Sequence, residues 1–106
     1  MATPGPYDVY AAIAAPARRE ILGLLASGDQ PVQQLAESFQ MTLPAVSQHL
    51  AILRDAGLVS VRKAGRQRIY SINAEPLKSV AEWAQSYERF WTDKLAALGE
   101  YLEENP

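Results

Sequence analysis

Ser47 and Gln48, with Arg54 two turns further on, place two hydrogen-bonding side chains and a cation along one side of the stretch Thr42 to Leu58, TLPAVSQHLAILRDAGL. Val46, Leu50, Leu53 and Leu58 recur there at helical spacing and predict a core-facing seam, leaving Pro44, Ala45 and Ala51 on the outer side with the polar residues. That outer face is small, polar and almost uncharged, whereas a helix that meets only water usually carries Glu and Lys pairs. Small side chains permit close approach, and Ser and Gln supply donors and acceptors. The chemistry on offer is therefore hydrogen bonding along a groove and not bond making. A second group, Arg62, Lys63, Arg66 and Arg68, is cationic and suits phosphates. Its plainer alternative is a charged edge that keeps an exposed hairpin soluble.

Several elements must position these groups. Pro31 to Phe39 predicts a shorter helix with Val32, Leu35, Ala36 and Phe39 inward, and Gln40-Met41-Thr42 is the whole connection to the next, giving helix, tight turn, helix. Thr42 can accept a hydrogen bond from a first-turn amide, and Pro44 is tolerated where N–H groups lack intrahelical partners. Gly57 ends the helix. Two alternating runs, Leu58 to Lys63 and Gln67 to Ile72, joined by Ala64-Gly65-Arg66, then read as a β-hairpin.

The string PAVSQHLAILRDAGLVSVRKAGRQRIYSIN closely resembles the recognition helix and wing of the ArsR-type winged helix-turn-helix repressors. The resemblance runs back through PARREILGLL and forward through EWAQSYERFWTDKLAALGEYL, so it spans nearly the whole chain. It implies a mainly α fold of about five helices with a small β-hairpin wing, dimerising through its terminal helices. It implies a sequence-specific regulator of double-stranded DNA, a homodimeric repressor on a pseudo-palindromic operator. Ser47 and Gln48 would reach base edges, Pro44 and Ala45 would touch thymine methyls or sugars, and Thr42, His49 and Arg54 would complete the helix surface. Arg62, Lys63, Arg66 and Arg68 would clasp phosphates or the adjoining minor groove. Three positions depart from the family: Ala15 where an aspartate is usual, Gln40 where a glycine is common and Ala51 where a basic residue often stands. Without the carboxylate cap the first turn that follows Ala15 is weaker by about 1 kcal/mol.

The flanks give the domain its outline. Residues 1–6 read as a disordered tail and 7–106 as one domain, with short helical segments at Tyr7 to Ala14 and Pro16 to Ala26. In the second, Ile21, Leu22, Leu24 and Leu25 face inward and Arg18, Arg19 and Glu20 lie near the surface. Asn73 can cap a single final helix over about 74–103, with Pro76 in its first turn. Its apolar band, Leu77, Val80, Trp83, Ala84, Tyr87, Phe90, Trp91, Leu95, Leu98, Tyr101 and Leu102, exceeds what so small a core can cover. Tyr87, Phe90, Trp91, Leu95, Leu98, Tyr101 and Leu102, joined by Tyr7, Tyr10 and Ile13 of the first helix, are the expected dimer interface.

Charge sharpens the reading. The chain has 106 residues and a net charge of −2, yet residues 1–41, 42–72 and 73–106 carry −2, +4 and −4. DNA responds to local potential, so the central segment is the electrostatic footprint. With no cysteine and one histidine, disulfides, thiolate metal sites and the family's metal sensing are not expected, and His49 reads as support for the binding face. No membrane-length apolar run or signal peptide pattern is present, so a cytoplasmic protein without cofactor is expected. Signal input would come from an unknown small molecule between the aromatic helices, from a protein effector, or from concentration alone. Two competing classes fare worse: a winged helix serving only protein–protein interaction does not require the groove-compatible Ser47 and Gln48, and an enzyme lacks any nucleophile–base set or phosphate loop.

Overall fold

A computed structural model describes residues 8–104, the side chains of residues 95, 96 and 104 excepted. Its elements are α1 (Val9–Ile13), α2 (Pro16–Ala26), β1 (Gln30–Pro31), α3 (Val32–Phe39), α4 (Leu43–Asp55), β2 (Val59–Ala64), β3 (Gln67–Ile72), α5 (Leu77–Gln85) and α6 (Glu88–Glu104). This is the winged helix: among the described residues, six helices and a three-stranded antiparallel sheet of order β1-β3-β2. The tail read over residues 1–6, Tyr7 and the side chain of Leu95 lie outside the described residues.

Local chemistry sets most boundaries. Asp8 Oδ1 accepts from Ala11 N at 2.8 Å and starts α1. Ala15 caps α2 without a side-chain bond, as its lack of a polar side chain requires. Thr42 Oγ1 accepts from Ala45 N at 3.2 Å and starts α4, with Pro44 in the first turn. The other end of α4 closes through Gly57 N to Arg54 O and Leu58 N to Leu53 O, both 2.9 Å, with Gly57 at φ 79°. The same closure ends α3, where Gln40 at φ 53° donates to Glu37 O and Met41 N donates to Ala36 O. In the hairpin, Ala64 pairs with Gln67 around Gly65-Arg66, and positive φ at Gly65 alone is the type II′ pattern.

The core joins α2, α3, α4 and the strands: Ile21, Leu25, Leu35, Val46, Leu50, Leu53 and Leu58 are fully buried. Leu24, expected inward, is half-buried and packs on the edge of this cluster. The two-residue strand β1 was not anticipated. Gln30 pairs with Tyr70 and Pro31 with Ile69, on the sheet edge where a proline can sit.

The single final helix expected over about 74–103 is two helices, hence six and not five. Neither Gly nor Pro causes the break. The Ser86 hydroxyl donates to Trp83 O at 2.6 Å, on the carbonyl that Tyr87 N–H would use, and Tyr87 N bonds instead to Ala84 O at 3.0 Å. Nor does Asn73 cap α5, whose cap residue is Pro76. The Asn73 Nδ2 donates to Gly57 O at 2.8 Å and so ties the end of α4 to the segment that leads into α5 and α6, which together form an aromatic arm. Every described side chain of α6 is exposed. The radius of gyration, 17.7 Å, exceeds the roughly 13 Å of a compact chain this long, because α6 leaves the core.

Candidate nucleic-acid interface

Burial of Val46, Leu50 and Leu53 fixes the rotation of α4 and turns its other side outward. Thr42, Pro44, Ser47, Gln48, Ala51 and Arg54 are exposed, while Ala45 and His49 are half-buried at the margins. The face is therefore assembled as its spacing predicts. Leu43, which sequence reasoning passed over, is 45% exposed beside Pro44 and extends the apolar tip of the helix.

Strand alternation sorts the hairpin cations. Lys63 lies directly opposite Arg68, on the face that also carries Val61 and Tyr70. Two like charges so paired disfavour the hairpin by themselves, which an anion between them would reverse. Arg68 and Tyr70 join Val32, Ser47, Ala51 and Arg54 around a cleft of about 590 Å³ between the hairpin and α4. Arg66 is exposed at the hairpin tip. Arg62 differs from its neighbours. It lies on the opposite face, where its Nη1 donates to Asp29 Oδ2 at 2.8 Å and to Ser71 Oγ at 3.2 Å. The Arg62 hydrogen bond, helped by the Ser71 hydroxyl, holds the Asp29 carboxyl below its ordinary range. Period-two alternation along β2 could have separated Arg62 from Lys63 in the sequence; its partner Asp29 carried no local signal.

The aromatic residues gather elsewhere. Tyr10 meets Trp83 edge-on at 6.1 Å between ring centroids, Trp83 meets Tyr87 at 5.6 Å, and Tyr87 meets Phe90 at 6.1 Å. Arg89 lies over the Phe90 ring at 4.9 Å. These contacts leave the rings largely bare: Tyr10 43%, Trp83 56%, Tyr87 47%, Phe90 58% and Trp91 42% exposed, and Leu98, Tyr101 and Leu102 above 50%. Ile13 is half-buried against the core. Trp83, absent from the expected interface set, is the ring that links α1 to the arm.

No cluster of three or more potential metal-binding His, Cys, Asp or Glu side chains occurs among the described residues, and none of their helices is long and apolar enough to cross a membrane.

Comparison with known proteins places this geometry. Residues 15–61 match the family "Bacterial regulatory protein, arsR family". The chain is similar to the transcriptional repressor SdpR of Bacillus subtilis (strain 168), 36% identical over 76% of this chain and 89% of that one. It is 35% identical to the HTH-type transcriptional regulator Rv2034 of Mycobacterium tuberculosis (strain ATCC 25618 / H37Rv) over 92% of this chain and 89% of that one. Among solved structures, an ArsR-like transcriptional regulator from Rhodococcus sp. RHA1 superposes with a TM-score of 0.65 at 31% identity, covering 88% of each chain. A buried-seam α4 with a bare polar face, a cationic hairpin and these relatives converge: the chain belongs to the arsR family of bacterial regulatory proteins and is a winged helix-turn-helix transcriptional regulator, not an enzyme.

Proposed function

We propose that this protein is a homodimeric repressor that occupies a pseudo-palindromic operator in the cytoplasm. The N-terminal half of α4 enters a major groove, with Ser47 and Gln48 at base edges and Leu43, Pro44 and Ala45 against thymine methyls or sugars. Lys63, Arg66, Arg68 and Arg54 take backbone phosphates along the cleft beside it. The observation that carries the reading is that cleft, where one helix face and one cationic strand face open to the same side. SdpR, a repressor by name, supports the sign of regulation.

The bare aromatic arm supports dimerisation. Burying Trp83, Tyr87, Phe90 and Trp91 against a second copy would remove an apolar surface too large for a stable monomer to leave in water. Two such subunits hold two copies of α4 about one helical turn apart, roughly 34–36 Å. Metal sensing by cysteine is not proposed, because the chain has none.

The test is selection of random duplexes by the purified protein, followed by titration of the enriched sequence against salt. Enrichment of an inverted repeat bound by one dimer is expected. Arg68→Ala should lower the salt slope by about 1, since one phosphate contact is lost. Absence of any enriched sequence, together with an unchanged slope, would overturn the reading.

A further inference from the structure

His49 follows Ser47 and Gln48 on α4, and its Nδ1 is 3.4 Å from Nη1 of Arg18. Arg18 was expected at the surface, but it is half-buried and tied down. Its Nε donates to Ala12 O at 2.6 Å and its Nη2 to Ala11 O at 3.2 Å, so it closes the end of α1 while facing the histidine. A guanidinium has five N–H donors and no acceptor. The histidine nitrogen that faces it must therefore offer a lone pair, and the ring proton of the neutral form is left on Nε2. Nε2 has no hydrogen-bond partner among the described residues, and it is not among their buried unsatisfied atoms. Nε2 is thus not a fully enclosed atom, and His49 itself is half-buried at the margin of the face that carries Ser47 and Gln48.

We propose that Arg18 is a positioning residue that holds His49 as its Nε2–H tautomer, and that this N–H donates to a phosphate oxygen of the DNA backbone. The proposal rests on the DNA reading above and deepens it. A neutral donor serves the phosphate without setting an imidazolium 3.4 Å from the Arg18 guanidinium. It also makes Arg18 a polar link between α1, which packs Tyr10 on Trp83, and the recognition helix, beside the direct packing of α1 on α4.

His49 is the chain's one histidine, so its ring nitrogens give one unambiguous pair of signals in ¹⁵N-labelled full-length protein. At about pH 8.5, where an ordinary histidine is neutral, the expected spectrum has a protonated Nε2 and a bare Nδ1. An Nδ1–H tautomer overturns the proposal, and this arm needs no variant that could misfold. The second arm titrates two variants with the duplex selected by the wild type. His49→Asn reaches only the Nδ1 position and should bind about tenfold more weakly, as loss of a charge-assisted bond predicts. His49→Gln carries an amide to the Nε2 position and should recover most of that loss. Equal affinities of wild type and His49→Asn overturn the donor role. A wild type that selects no duplex overturns the DNA reading, and the donor role with it, while the ring spectrum still judges Arg18.

Discussion

Helices α4 and α6 carry apolar residues at nearly the same spacing and meet opposite surroundings. In α4, Val46, Leu50 and Leu53 are fully buried, both ends are closed by hydrogen bonds, and the outward face is small and polar. In α6 the larger residues Phe90, Trp91, Leu98, Tyr101 and Leu102 all stand in the open. Helical periodicity declares that a face is apolar; it does not say whether the same chain or another molecule covers it. The decision falls to what is packed opposite. Helices α1, α2 and α3 and strand β2 pack around α4, whereas the break at Ser86 and Tyr87 carries α6 away from the core.

The sharpest way to break this contrast is to truncate one side chain in each helix. Leu50→Ala should destabilise the fold by about 2–5 kcal/mol, read from urea unfolding, because the cavity lies at the centre of the core. Trp91→Ala should leave the unfolding of the core domain nearly unchanged. Its cost appears in sedimentation, as self-association weaker by at least about 2 kcal/mol, roughly thirtyfold. If Trp91→Ala unfolds the core as Leu50→Ala does, the arm is not an independent surface.

Smaller effects test the two helix ends that share one closure. Gly57→Ala places a Cβ at φ 79°, where only ordinary contact with Pro76 Cγ at 3.8 Å awaits it, so its cost is backbone strain of about 1 kcal/mol. Gln40→Gly relieves the same strain at φ 53° and should raise stability by about 0.5–1 kcal/mol, read as a higher Tm. The smallest effect concerns Asp29. Its carboxyl is held below the ordinary 3.8 by Arg62, so its contribution is present above that value and lost as pH falls through the lowered one. Wild type and Asp29→Asn should therefore differ in denaturation midpoint at neutral pH and converge in strong acid. A difference that persists there would mean that the effect of Asp29 does not come from its carboxylate charge on Arg62.

Much of the winged helix was legible in the sequence because its signals are local. Thr42, Pro44, Gly57 and Gly65 each mark a boundary by their own stereochemistry, and the seam of Val46, Leu50 and Leu53 sets which side of α4 is bare. What escaped depends on distant partners. Two residues, Gln30 and Pro31, become a strand only because β3 lies beside them. Arg18 reads as a surface cation until the bend before Pro16 brings the carbonyls of α1 to its guanidinium. Ser86 is an ordinary helix residue by propensity, and its competition for the Trp83 carbonyl is visible only in three dimensions.

The placement of the two tryptophans has a practical corollary. Trp83 and Trp91 both stand on the arm and none lies in the core, so tryptophan emission reports on the arm and not directly on the packing of α2, α3 and α4. Emission should shift to the blue as subunits associate and to the red on dilution, while far-ultraviolet circular dichroism, dominated by helices, follows the fold. Recorded together on one sample, the two signals separate assembly from folding without any label.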